Sequence, residues 1–133
     1  MMLSGNTPYV AARAKARRQA LMDKSRLRQL INQSPEQLTN AVAESGYQNE
    51  INLYASKYTG GDLVEAALTH NLENELSKIL SFCNGRVRKI VEIYTGRYEY
   101  QNAKAVLRAV ANDIDAEKVG KDILPDLNEI NTP

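Results

Sequence analysis

Gly60-Gly61-Asp62-Leu63-Val64-Glu65-Ala66-Ala67-Leu68-Thr69-His70-Asn71-Leu72 opens the stretch that decides the fold, and it continues through Leu80 to Cys83-Asn84-Gly85. Within it Val64, Leu68, Leu72, Leu76 and Leu80 fall four apart, and Leu63, Ala67, Ile79 and Cys83 widen the stripe. That spacing is the period of a helix; a half-buried strand would alternate instead. Asp62 is placed to cap the start, since its carboxylate can accept from the open N–H groups of a first turn. Gly85, with Asn84 beside it, stands where a helix stop favours a residue tolerant of positive φ. The pattern predicts a central helix over about 62–84, a rod of roughly 33 Å at 1.5 Å per residue. Burying its large apolar side chains is worth roughly 10–20 kcal/mol as an upper bound.

Outward from that rod, the other segments also read as helices. Thr7-Pro8 is a helix entry, with Thr capping and Pro in the first turn, where its missing N–H costs nothing. The alanine-rich run Tyr9 to Leu21 follows, carrying Arg13 and Arg17 one turn apart and Arg18 displaced around the axis. Near Asp23 a bend is expected, after which Leu27, Leu30 and Ile31 start a second apolar face. Ser34-Pro35-Glu36-Gln37 is a capping box with Pro inside it. Its helix turns Leu38, Val42 and Ala41 inward and is expected to end at Ser45-Gly46. A helix over Tyr47 to Tyr58 is expected to stop at Gly60-Gly61. Beyond Gly85, Val87, Ile90, Val91 and Tyr94 mark another helix, with an interruption at Thr95-Gly96. Ala103, Val106, Leu107, Val110 and Ala111 mark one more, ending near Asn112-Asp113. Asp115 is read as the cap of a last piece in which Ile123, Leu124, Leu127 and Ile130 straddle Pro125. The prediction is a single all-α domain over residues 1–133, a compact antiparallel bundle of six to eight helices joined by short connections.

A chain of 133 residues suits one domain with a real core. It has no apolar run of about 18 residues, the length that spans a bilayer. Met1-Met2-Leu3-Ser4 lacks the basic-then-apolar order of a signal peptide. Cys83 is the single cysteine, which excludes an internal disulfide and leaves no metal-ligand pattern, and these features point to the cytoplasmic compartment. The formal charge of +1 hides a segregation. Residues 1–33 carry seven Lys/Arg against one acid, and residues 34–85 two against seven. Residues 86–108 carry six against two, and residues 109–133 two against six. Such blocks can attract one another within the domain or match charged patches on a partner.

No constellation for catalysis emerges. His70 lacks partners at useful spacing, and a surface or structural role is expected. Cys83 continues the apolar stripe and is expected to be a buried thiol. The carboxylates form no metal or paired acid/base signature, and Gly60-Gly61 is not part of a phosphate loop. Neither enzyme, cofactor nor metal is therefore expected. The basic cluster Arg13, Lys15, Arg17, Arg18, Lys24, Arg26 and Arg28 admits three readings: a face solvated or paired inside the domain, a protein interface, or a phosphate-binding surface with steep salt dependence.

Three stretches together carry a family resemblance. Tyr9-Val10-Ala11-Ala12-Arg13-Ala14-Lys15-Ala16-Arg17 resembles the opening helix of the C subunit of archaeal-type rotary ATP synthases, the relative of the d subunit of vacuolar ATPases. Tyr58-Thr59 and the run Gly60 to Leu72 resemble that family's turn into its long helix. Tyr98-Glu99-Tyr100-Gln101-Asn102-Ala103-Lys104-Ala105-Val106-Leu107-Arg108 is similar to its segment with an aromatic, an Asn, a basic residue and a Leu-Arg pair. The resemblance implies a non-catalytic rotor part, an all-helical funnel on the cytoplasmic side of the membrane ring that receives the foot of the central shaft. In that role it would couple the ATPase head to proton or sodium movement, as a peripheral component with no membrane insertion and no nucleic-acid partner. It also implies three similar domains, of which this chain would hold the first. Arg13, Arg17 and Arg18 are then candidates for a face that meets a partner in the rotor. The alternative is a helical nucleic-acid-binding or scaffold module that uses the basic N-terminal helix.

Overall fold

The computed structural model describes residues 5–115 and residue 118. Among the described residues every regular element is helical: α1 (Thr7–Arg18), α2 (Lys24–Ile31), α3 (Pro35–Val42), a π-helical turn (Ala43–Tyr47), α4 (Gln48–Tyr54), α5 (Gly60–Ser81) and α6 (Gly85–Ala111). The all-α expectation holds, but the count of six to eight does not. Helical backbone breaks at Gly46, where the sequence places the end of the capping-box helix, and, counting 35 to 54 as one kinked rod, the described residues form five rods. The kink is at Gly46, at φ 105° and ψ 7°. The expected break at Thr95-Gly96 is absent, and α6 passes through it as one helix of 27 residues.

Local chemistry explains the ends. At α3 the capping box is complete: Gln37 N donates to Ser34 Oγ, and Ser34 N donates to Gln37 Oε1. Asp23 converts the expected bend into a cap, its Oδ1 accepting from Arg26 N at 2.7 Å. Two expected caps are moved. Asn6, not Thr7, holds the cap position of α1, and Thr59, not Asp62, that of α5; neither makes a side-chain capping bond. Asp62 instead lies in the first turn of α5, where its charge suits the positive end of the helix dipole. The central helix therefore covers 60–81 rather than 62–84, and Gly60-Gly61 open it instead of ending the helix before it. Gly85, expected as a stop, begins α6. The last piece anticipated around Ile123 to Ile130 lies outside the described residues.

The core gathers where α2, α3 and α4 meet the N-terminal half of α5: Leu30, Ala41, Val42, Ala43, Ile51, Leu63, Val64 and Ala67 are buried together. Leu38, Tyr54, Tyr58 and Leu68 close over it. The apolar stripe of α5 is thus buried at one end only; Leu72 is 39% exposed, and no residue of α5 beyond Ala67 is fully buried. Ala67, wholly inaccessible, is small enough for the neighbouring backbones to approach closely. The upper bound for complete burial of the stripe is accordingly not reached.

Candidate functional site

α1 lies over the far half of α5 and the elbow into α6. Its N-terminal end is held by a reciprocal latch between two asparagines. Asn84 N donates to Asn6 Oδ1 at 3.0 Å, Asn6 N donates to Asn84 Oδ1 at 3.2 Å, and Asn6 Nδ2 donates to the Phe82 carbonyl at 2.6 Å. Beside the latch, the Tyr9 and Phe82 rings meet edge to face with centroids 6.3 Å apart. Nothing local in the sequence marks this latch, because its partners are 78 residues apart.

The alanine-rich character of α1 leaves space between it and the π turn. A cleft of about 640 Å³ opens there, with Arg13 and Arg17 on one wall, Ser45, Gly46 and Tyr47 on another, and Asn71 and Glu75 of α5 at its base. The π turn supplies the middle wall because the left-handed Gly46 swings the chain out of regular helix, while Ser45 Oγ turns back to the Ala41 carbonyl at 2.7 Å. Of the three arginines singled out in the sequence, two line the cleft and Arg18 does not; it is exposed on α1. Arg17 Nε is buried 3.3 Å from Glu75 Oε2 without the alignment of a hydrogen bond, so the pair is held by charge. Lys78 Nζ stands 3.3 Å from the other oxygen of Glu75. The Arg13 guanidinium lies over the Phe82 ring at 4.9 Å and the Tyr9 ring at 5.7 Å, and it donates to Tyr9 Oη.

The remaining titratable groups are tied into the frame. His70 Nδ1 is 3.1 Å from Tyr54 Oη, and the two rings meet edge to face, a structural role for the single histidine. Burial raises the Tyr54 phenol above its usual value, and the charges of Tyr58 and Glu73 add to the shift. Burial likewise raises Tyr47, with Glu50 and Glu75 contributing. Cys83 is buried as expected; desolvation raises its thiol, and nearby Arg88 offsets part of that. Asn71 Nδ2 donates to Glu50 Oε1 at 3.0 Å, joining α4 to α5 beside the cleft. Among the described residues no group of His, Cys, Asp and Glu has the arrangement of a metal site. No described helix is long and apolar enough to cross a membrane. The cleft offers cationic and aromatic docking chemistry through Arg13, Arg17 and Tyr47. Glu75, Tyr47 and Asn71, which complete it, carry no signal in the sequence that would place them there.

Comparison with known proteins matches residues 10–132 to the model of the ATP synthase (C/AC39) subunit family. The A-type ATP synthase C subunit of Haloquadratum walsbyi is 35% identical over 93% of this chain and 36% of the relative. That of Haloferax volcanii is 33% identical over 90% of the chain and 34% of the relative, and that of Methanosarcina barkeri 32% over 91% and 34%. The chain thus spans about a third of the length of these relatives. No solved structure gives a significant match. With a family match that runs through all the described helices, from within α1 onward, the chain belongs to the ATP synthase (C/AC39) subunit family.

Proposed function

We propose that this chain forms part of a non-catalytic central-stalk adaptor of an A/V-type ATP synthase. It would link the central shaft to the ion-translocating membrane ring, as a peripheral component at the cytoplasmic face. The observation that carries this reading is the family match over 10–132, joined to relatives that are A-type ATP synthase C subunits. Because the chain spans about a third of those relatives, we place it as the first of three similar helical domains.

The geometry supports a mechanical part. An element that transmits torque must resist bending, and the long rods α5 and α6 are tied across their elbow by the Asn6–Asn84 latch and the Tyr9–Phe82 contact. It must also meet neighbours on defined faces. Arg13, Arg17 and Arg18 give α1 one such face, with Arg13 and Arg17 at the cleft and Arg18 in solvent. That Arg17 is matched to Glu75 and Arg13 to aromatic rings weighs against phosphate binding, since both guanidinium groups already have partners inside the domain.

The test is reconstitution with the shaft and ring proteins. Reversing Arg13, Arg17 and Arg18 to Glu is expected to weaken co-purification with them, while Arg18→Glu alone controls for damage to the Arg17–Glu75 pair. Assembly unchanged by the triple reversal would remove these arginines from the interface. Failure of the parent chain to associate with any rotor component would remove the stalk reading. Salt-dependent binding of a duplex oligonucleotide would favour the alternative module.

A further inference from the structure

The short helix α2 presents two unlike faces. Inward, Leu30 is buried in the core, and the Arg26 guanidinium donates to the Ala41 carbonyl and to Gln29 Oε1. Outward, Lys24, Leu27, Arg28 and Ile31 stand at i, i+3, i+4 and i+7, which places all four on one face of the helix. All are exposed, Leu27 at 47% and Ile31 at 78%. The two cations lie one turn apart, and the two aliphatic side chains lie one turn apart beside them. Among the described residues neither the Lys24 ammonium nor the Arg28 guanidinium has a polar partner. Asp23, the one acid in the first 33 residues, holds its carboxylate on the Arg26 N–H as the cap of the same helix. Just before α2, Leu21 is 61% exposed. On α1, Lys15 and Arg18 are exposed on the side turned away from Arg13, Ala16, Arg17 and Ala20, which line the cleft.

We propose that the outward face of α2 rests on an anionic lipid surface, with Lys24 and Arg28 at the level of the phosphate groups and Leu27 and Ile31 below them at the acyl boundary. The choice of occupant rests on the mixture of side chains and on size. A nucleic acid would use the two cations, but its backbone offers nothing apolar to Leu27 and Ile31, and this face carries no aromatic ring on which a base could stack. A stable protein interface takes roughly 800 Å² from each partner, and a helix of eight residues, about 12 Å long with four outward side chains, offers a fraction of that. A lipid surface has no such minimum, and it presents negative charge and hydrocarbon in adjacent layers, the two chemistries that this face combines. The exposed Lys15 and Arg18 of α1 add charge of the same sign. The helix lies on the surface and does not span it, since the hydrocarbon core needs about 20 apolar residues to cross. The face uses neither Arg13, Arg17 nor Glu75, so it stands or falls separately from the rotor contact proposed above.

Flotation of the full chain with lipid vesicles tests this. The chain should bind vesicles of phosphatidylglycerol and phosphatidylcholine in equal parts, less tightly as salt is added, and should not bind phosphatidylcholine alone. Each cation near such a surface is worth about fivefold in affinity, so Lys24→Gln with Arg28→Gln should weaken binding about 25-fold. Leu27→Ser with Ile31→Ser should weaken it at least about tenfold while leaving the salt dependence in place. Both variants should keep the helicity of the parent by circular dichroism, because all four side chains are exposed. Arg86→Gln with Lys89→Gln, two exposed cations in the first turns of α6, makes the same change in net charge and should leave binding within about twofold. The proposal is overturned by a chain that ignores anionic vesicles, by equal losses from the α2 pair and the α6 pair, or by a Leu27→Ser and Ile31→Ser variant that binds as the parent does. Binding of a duplex oligonucleotide or of polyglutamate that depends on Lys24 and Arg28, with vesicles ignored, overturns it in favour of a nucleic acid or an acidic protein surface.

Discussion

Two glycines that the sequence alone treats alike should respond to the same substitution with opposite signs. A Cβ added at Gly46 or at Gly96 meets nothing within 4 Å, so neither change to Ala creates a clash. They differ in backbone. Gly46 holds φ at 105°, whereas Gly96 lies within the continuous helix α6. A left-handed conformation costs an L residue about 1–2 kcal/mol, and Gly46 lies beyond the usual left-handed well. The restricted unfolded chain returns about 0.4–1 kcal/mol. Gly46→Ala should therefore destabilise by about 1 kcal/mol or somewhat more. Gly96→Ala removes a helix-interior glycine and should stabilise by about 0.8–1 kcal/mol. With an unfolding entropy of about 2.1 cal/mol/K per residue, a chain of 133 residues shifts its Tm by about 3–4 °C per kcal/mol. Thermal unfolding should thus separate the two variants by about 7 °C, with the parent between them. Gly46→Asn should lose less than Gly46→Ala, since Asn tolerates positive φ. If Gly46→Ala is neutral or stabilising, the chain crosses 43–47 as ordinary helix and the wall of the cleft is not built as described.

Asn6→Ala removes two of the three latch bonds, those made by the Asn6 side chain, and should cost about 1–2 kcal/mol; urea unfolding measures the loss, and hydrogen exchange should accelerate at residue 84, whose N–H donates to the Asn6 side chain. The raised phenols of Tyr54 and Tyr47 favour the folded state fully below pH 10.0, the ordinary value, and that contribution is lost as pH rises through their higher folded values. Tyr54→Phe should flatten this alkaline loss while costing about 1 kcal/mol at neutral pH for the His70 bond, read from urea midpoints on either side of pH 10. Cys83, buried and with its thiol raised, should react with a chromogenic disulfide at the rate of chain opening and become fast only in denaturant.

How much of the fold is legible in the sequence depends on the range of the interaction involved. The Ser34 capping box and the helix break at Asp23 are settled within four residues, and both stand where the sequence places them. The glycines are harder. Gly46, Gly60, Gly85 and Gly96 all read as helix breakers, yet Gly96 sits inside α6 and Gly60 and Gly85 open helices. A glycine permits a break, but what surrounds it decides whether one occurs, and that is not local information. The same limit applies to the candidate site. The basic face of α1 is visible as composition, but the partner of Arg17 is Glu75, 58 residues further on, and Tyr47 reaches the cleft only because the chain kinks at Gly46. His70 has no partner at helical spacing; Tyr54 supplies one from the preceding helix.

The apolar pattern of α6 misleads for a different physical reason. A helix that packs on one side shows one stripe about 100° wide. α6 has two, so a search for a single 3.6-residue face divides it into two short helices at Gly96. Ile90 and Tyr94, each more than half exposed, lie between the stripes and blur them further. Only the strict seven-residue interval of Ile93, Tyr100 and Leu107 separates the outward set from the inward one. The far half of α5 repeats the theme, since its leucines keep the spacing of a core stripe while Leu72 is left 39% exposed. Both helices carry apolar surface that the other described residues leave exposed. A part clasped between neighbours, as proposed above, would use such surface for its contacts.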